Sequence, residues 1–264
     1  MDNNDRTFLE AYYENYDEEG RLLSKHGNVE FFTTMHYIRK YLFPGARVTE
    51  IGAGTGRYSH ALAQEGYAVD AVELVPHNIA LFEQKTLPGE PVTVRQGDAR
   101  ALSFFADDTY DLTLLLGPMY HLFTREDQRQ ALTEAVRVTK PGGVIFAAYC
   151  MGDASILCYG FQKGQIHSLI EKCMLNPETF DTFSHPWDLF ELYRPEDIEA
   201  LREALPVTPL RFVAADGYTN HMRETVDAMD EETYRLFLQY HLSTCERKDL
   251  IGYSHHTLDI FRKN

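Results

Sequence analysis

The chain has 264 residues, 44 % of them hydrophobic and 25 % charged, with a formal net charge of -15. This size and composition permit a full hydrophobic core and exclude an extensively disordered chain. The acidity disfavours a phosphate-backbone partner, since Arg247 with Lys248 and Arg262 with Lys263 are short pairs and not a basic patch.

The first twenty residues are acidic and lack the apolar core of a signal peptide, and no apolar run reaches membrane-spanning length. The expectation is a cytoplasmic protein with no membrane partner. Cys150, Cys158, Cys173 and Cys245 form neither a CxxC pair nor a zinc spacing, so they read as reduced packing residues, and no metal-ligand set is expected.

In chain order, residues 5–43 read as helical. Phe8, Leu9, Tyr12, Tyr13 and Tyr16 recur at helical spacing, and a second helix is expected over 28–42, stopped by Pro44 and Gly45. A strand follows over 47–51, then the glycine-rich turn Gly52-Ala53-Gly54-Thr55-Gly56. Next come a helix over 58–65 stopped by Gly66, a strand over 67–72 ending at Glu73, and a helix over 78–85. A strand over 91–95 leads into Gly97-Asp98-Ala99-Arg100. The apolar run 110–116 suggests a strand buried on both faces. A helix over 125–138, a turn at 141–143 and a strand over 144–149 complete the alternation. Beyond Cys150 the pattern is less regular. One or two helices are expected over 155–174, an aromatic loop up to Tyr193, and a helix over 195–204. A strand over 210–215, a mostly helical stretch over 224–245 and a last strand over 256–261 follow. Strands alternating with helices predict a doubly wound, mostly parallel α/β sheet with right-handed crossovers.

Glycines at a strand-to-helix turn permit a tight bend and close approach of a ligand to the backbone. Glu50 stands two residues before the first of them. Glu73, at the end of the next strand, can accept hydrogen bonds from both hydroxyls of a ribose. Asp98, after the third strand, can accept from an adenine amino group. Each also has a structural alternative, Glu73 as a strand-end carboxylate and Asp98 as a turn former.

The order of these residues, with Lys140-Pro141-Gly142-Gly143 before the fifth strand, resembles class I S-adenosylmethionine-dependent methyltransferases from about Arg47 to Tyr149. The resemblance implies a seven-strand sheet with an antiparallel last strand, N-terminal helices and a helical insertion after the fifth strand. It implies S-adenosylmethionine as cofactor, with Gly52, Ala53 and Gly54 along its methionine part. Glu50 would orient the loop or meet the amino group, Glu73 would hold the ribose with Leu74 beside the adenine, and Asp98 and Ala99 would bind adenine. Leu116 and Gly117 would border the methyl. One methyltransferase domain over 1–264 is expected: a helical lid over 1–44, a cofactor-binding core over 45–150, an acceptor-side insertion over 151–208, and strands and helix completing the sheet over 209–264.

The segment Gly117-Pro118-Met119-Tyr120-His121-Leu122 follows the fourth strand. Family members that methylate base amines often carry Asp or Asn at the position of Gly117 and a second proline at that of Met119. The departure points to a small-molecule acceptor. Tyr120 and His121 are the candidate catalytic residues, with His121 a base where the acceptor must lose a proton, or else a packing histidine. A leading helix is expected to close over the cleft, with Tyr12, Tyr13 or Tyr16 touching cofactor or acceptor, or merely packing on the sheet. The segment 180–193, with His185 and Trp187, is expected to wall the acceptor pocket or to form a satellite core. Two other classes fit part of the pattern: an NAD(P)-dependent Rossmann oxidoreductase, which would use Gly52, Gly54 and Glu73, and a cofactor-binding module that transfers nothing.

Overall fold

The computed structural model describes residues 3–15, 20 and 23–264; Tyr16 lies outside the described residues. Among these, the N-terminal helices are α1 (Asn3–Tyr13) and α2 (Lys25–Tyr41). The core alternates β1 (Arg47–Ile51), α3 (Arg57–Gln64), β2 (Ala68–Glu73), α4 (Pro76–Lys85), β3 (Val92–Gln96), β4 (Tyr110–Leu115), α5 (Arg125–Val138) and β5 (Thr139–Met151). After it come α6 (Gly152–Ser155), a π-helical stretch (Ile156–Gln162), α7 (Ile166–Glu171), β6 (Leu192–Tyr193) and α8 (Pro195–Glu203). The chain closes with β7 (Val207–Ala214), α9 (Arg223–Asp227), α10 (Glu231–Thr244) and β8 (His256–Lys263).

The strands lie in the order β3-β2-β1-β4-β5-β8-β7. The first five are parallel, and β8 runs antiparallel to both β5 and β7. This is the expected seven-strand sheet with an antiparallel last strand. One addition is β6, two residues that pair with the end of β5 and are too short to show any alternation.

Period-two alternation puts successive residues of a strand on opposite faces. Val144, Phe146, Ala148 and Cys150 of β5 join the core beneath α2 and α3, with Met35, Ile38 and Leu62. Ile145, Ala147, Tyr149 and Met151 join the other core, with Ala131, Leu132 and Ala135 of α5. Chain order reverses between β1 and β4, which opens a crevice at their C-terminal ends.

Helix boundaries follow capping chemistry. The Ser24 hydroxyl accepts from the Gly27 N–H (3.1 Å), so α2 begins three residues before the expected start. Thr124 caps α5 in the same way through the Asp127 N–H (3.1 Å). The expected turn at 141–143 is a bulge inside β5. Thr139 pairs with Tyr110 and Val144 with Leu112, so the residues between them loop out, with Gly142 at φ 78°.

Candidate active site

The glycine turn rises from the C-terminal end of β1. Gly52, Gly54 and Gly56 have φ of 77°, 56° and 86°. The N–H groups of Gly52 and Ala53 both donate to the Val72 carbonyl (2.8 and 3.0 Å), fastening the turn to β2. A Cβ on Gly52 would stand 2.4 Å from Pro118 Cδ, and one on Gly56 would stand 2.4 Å from the Phe82 ring. At Gly54 a Cβ would meet nothing within 4 Å. Gly52 and Gly56 therefore answer to close packing, whereas Gly54 leaves open space.

Two buried carboxylates support the turn. Glu73 accepts from the N–H of Gly54 (2.8 Å) and of Val75 (2.9 Å), and from the side-chain amide of Asn78 (3.3 Å). Burial pushes its pKa up against the pull of these donors. Glu50 lies beneath the turn, 1 % exposed, and accepts from the Ser59 hydroxyl. Burial pushes Glu50 up to about 8, and the Glu73 charge adds to this. A carboxyl whose folded pKa is raised binds its proton more tightly folded than unfolded. Its contribution to stability is therefore lost as pH rises from 4.5 through about 8. Glu50→Gln is expected to reduce the fall in melting temperature across that window, as read by thermal melts. An unchanged slope would mean that Glu50 ionises inside the fold at no cost.

Asp98 sits in the fork of Arg100. Its Oδ1 accepts from the Arg100 backbone N–H (2.9 Å) and Nε (3.0 Å), and its Oδ2 from Nη2 (2.7 Å). Burial works to raise the Asp98 pKa, but the Arg100 contacts outweigh it and hold the carboxyl below its usual range. Arg100 also pairs with Asp127 (2.6 Å), which ties the β3 loop to α5.

His121 ends the single 3-10 turn Pro118–His121 after β4. Its Nδ1 lies 2.7 Å from the Leu189 carbonyl, which can only accept, so Nδ1 carries the proton. Nε2 is then the acceptor for the Tyr13 hydroxyl at 3.1 Å. Burial pushes the His121 pKa down to about 4, against the Leu189 contact, so the ring is neutral at neutral pH. This pair joins α1 to the end of β4 across the crevice.

Tyr13, Glu50, Gly52, Ala53, Gly54, Glu73, Leu74, Asp98, Ala99, Leu116, Gly117, Tyr120 and His121 all line this one cavity. Asn78, Pro118 and Glu30 line it too, although no motif marks them as candidates. A second cavity of about 440 Å³ adjoins it, and Tyr13, Glu30 and Tyr120 line both. Apolar walls of the second come from Ile156, Leu169, Leu175, Phe183 and Phe190. Tyr12 also lines it, its ring edge-on to Phe190. The aromatic segment thus contributes in part. His185 and Trp187 are not among the lining residues but stack on each other at 4.3 Å, and Trp187 is 60 % exposed. The 3-10 turn Pro186–Asp188, followed by Leu189 at φ 72°, divides them from Phe190. Contrary to the absence expected from sequence, Glu30, Asp216 and His256 bring potential ligand atoms within 4.8 Å of one another.

Residues 48–143 match the family model described as a methyltransferase domain. The chain is 31 % identical over 143 residues to the cypemycin N-terminal methyltransferase of a Streptomyces species, covering 54 % of each chain. It spans about half the length of that curated relative. Among solved structures, the PH0226 protein from Pyrococcus horikoshii superposes with a TM-score of 0.61 at 16 % identity, covering 96 % of this chain and 99 % of that one. An S-adenosylmethionine-dependent methyltransferase from Thermotoga maritima gives 0.59 at 17 % identity, covering 98 % and 100 %. At such identities the structural matches speak for the fold.

Proposed function

We propose, from the premise that this chain belongs to the class I S-adenosylmethionine-dependent methyltransferase family, that it transfers a methyl group to a small-molecule acceptor by in-line displacement. Convergence of the glycine turn, Glu73 and Asp98 on one cavity at the strand ends supports this most directly. The cavity suits an adenosyl ligand, because open space stands above Gly54 and a buried carboxylate stands at its side. No helix among the described residues is long and apolar enough to cross a membrane.

S-adenosylmethionine, when bound, supplies a methyl on a sulfonium centre, an electrophile strong enough that positioning is the protein's main task. Gly52, Ala53 and Gly54 would present backbone to the methionine part, with Glu50 holding the turn in shape from below. Glu73 would accept from the ribose hydroxyls, and Leu74, Asp98 and Ala99 would flank the adenine. Leu116 and Gly117 would border the transfer point, next to Tyr120. Of the expected lid over 1–44, α1 would be the covering part, its Tyr13 hydroxyl against His121 helping to keep water from the crevice, while α2 packs in the core. His121 Nε2, an acceptor already, would take a proton where the acceptor has one to lose. The core over 45–150 then binds cofactor, 151–208 shapes the acceptor side, and 209–264 completes the sheet.

Calorimetric titration tests this. S-adenosylmethionine and S-adenosylhomocysteine are expected to bind and NADH is not. Preference for NADH would favour the oxidoreductase alternative, and adenosyl binding without transfer to any acceptor would favour the binding module.

A further inference from the structure

Arg223 opens α9 and lines the wider cavity, half-buried. Its Nε donates to Asn220 Oδ1 at 2.8 Å, and the Asn220 amide donates in turn to Asp216 Oδ2 at 2.5 Å. The guanidinium is thus positioned through a neutral acceptor that leaves its two Nη groups unclaimed. Among the described residues Arg223 makes no ion pair. Asp227, four residues on, is bonded instead to the His26 N–H (2.9 Å) and ring (2.7 Å).

The acidic groups on this cavity are engaged elsewhere. Asp216 Oδ1 accepts from the Ser254 hydroxyl (2.6 Å) and the His256 N–H (3.1 Å), and its Oδ2 from Asn220 and the His256 ring (2.7 Å). These four bonds use all of a carboxylate's acceptor sites. Glu30 stands 3.5 Å from the same ring. Burial opposes charge on His256, but Glu30 and Asp216 outweigh it and hold the pKa well above the usual value. Asp188 belongs to another stretch of the wall, where burial pushes its pKa up and His185 and Lys172 are the charges that act on it.

A second observation points to the Arg223 side. His255 lines the same cavity, is 6 % exposed, and neither ring nitrogen has a hydrogen-bond partner. Its ring lies 5.0 Å from that of His221, two residues before Arg223. Burial pushes its pKa down to about 4 against the pull of Asp216, and the Arg223 charge is among those that add to the fall. A neutral imidazole beside a cation has one N–H to donate. The guanidinium supplies a charge and two N–H groups side by side, the geometry that matches a carboxylate.

We propose that the side cavity binds an acceptor molecule carrying a carboxylate on an apolar body, the carboxylate held by the Nη groups of Arg223 with the His255 imidazole beside it. This rests on the methyltransferase assignment and names the substrate class of that site. The body lies against Ile156, Leu169, Leu175 and Phe190, and the methyl-accepting group reaches the cofactor cavity past Tyr13 and Tyr120, which line both. Arg57 lines the cofactor cavity and not the wider one, and Arg223 the reverse. Arg223 is therefore not placed for the carboxylate of the cofactor's own methionine part. A neutral polar group would satisfy His255 but leave the guanidinium without a counter-charge among apolar walls, and an ammonium would meet a like charge.

The test uses protein saturated with S-adenosylhomocysteine. It is titrated calorimetrically with arylalkanoates from phenylacetate to phenylpentanoate and with the matching primary amides, while histidine ring-nitrogen signals are followed by NMR. At least one carboxylate is expected to bind about tenfold more tightly than its amide, a difference of about 1.4 kcal/mol. It is also expected to shift the His255 signals, which His255→Gln identifies by their loss. Arg223→Gln should erase the preference, and Arg223→Lys, which keeps the charge and loses the fork, should retain part of it. Thermal melts report that the variants fold. Equal binding of carboxylate and amide by the native protein, or no binding of any carboxylate, would overturn the proposal whichever variants fold. So would a preference that survives in Arg223→Gln, or carboxylate binding that leaves the His255 signals unmoved. Failure of S-adenosylhomocysteine itself to bind would overturn the methyltransferase assignment; its binding without carboxylate preference would overturn the substrate class alone.

Discussion

Gly52→Ala is expected to lower the melting temperature by about 10 °C and to abolish binding of adenosyl ligands. The residue sits at φ 77°, where an L side chain costs about 1–2 kcal/mol. Its new methyl would stand 2.4 Å from Pro118 Cδ and 2.8 Å from Cγ. Neither side can yield cheaply. Pro118 opens the turn that carries Tyr120 and His121, and the Gly52 N–H is bonded to the Val72 carbonyl. Overpacking of this kind adds about 1–3 kcal/mol, and a chain of this size loses about 2–4 °C for each kcal/mol. Gly54→Ala is the control. Its φ of 56° is strained, but its methyl would meet no protein atom, so about 1 kcal/mol of destabilisation is expected. That methyl instead occupies ligand space, so Gly54→Ala should stay folded and still bind S-adenosylhomocysteine weakly. Thermal melts and titrations of both variants check the pair. Equal stability of the two would show that the Pro118 contact is not what requires glycine at position 52.

What was legible in the sequence was mostly local. The turn glycines, Glu73 and Asp98 each stand within a few residues of a strand end, so alternation and turn chemistry were enough to place them. What was not legible depended on partners far along the chain. Arg100 was visible beside Asp98, but its second bond, to Asp127, crosses 27 positions. The proton position on His121 is set by the Leu189 carbonyl, 68 residues away. Glu30 meets Asp216 and His256 only because α2 packs over the late strands, and no spacing rule joins residues so distant. The aromatic segment was open to two readings for a different reason. Composition allowed a pocket wall or a satellite core, and a tight turn with Leu189 in a left-handed conformation separates the exposed His185–Trp187 stack from the cavity-lining Phe190.

Glu73→Ala is expected to weaken S-adenosylhomocysteine binding by about 100-fold, the loss of two hydrogen bonds to a charged group worth about 1.5 kcal/mol each. The bond geometry says why two are available. Among the described residues Oε2 accepts from the Gly54 N–H, and on Oε1 the Asn78 amide at 3.3 Å is longer and weaker than the Val75 contact. A ribose diol would therefore use a second acceptor site on Oε2 and the one that Asn78 can release. The same substitution strands the Gly54 and Val75 N–H groups, so a loss of stability of about 2–4 kcal/mol should accompany it. Glu73→Gln separates the two effects, because the amide oxygen keeps one acceptor while the amide nitrogen opposes the other donor. Asp98→Ala should cost less, about tenfold, because its side chain is 30 % exposed and Arg100 already occupies both oxygens. The ranking is sharper than either number. If Asp98→Ala proved the more damaging to affinity, adenine contacts rather than the ribose carboxylate would anchor the ligand, and the buried Glu73 would be a brace for the glycine turn alone.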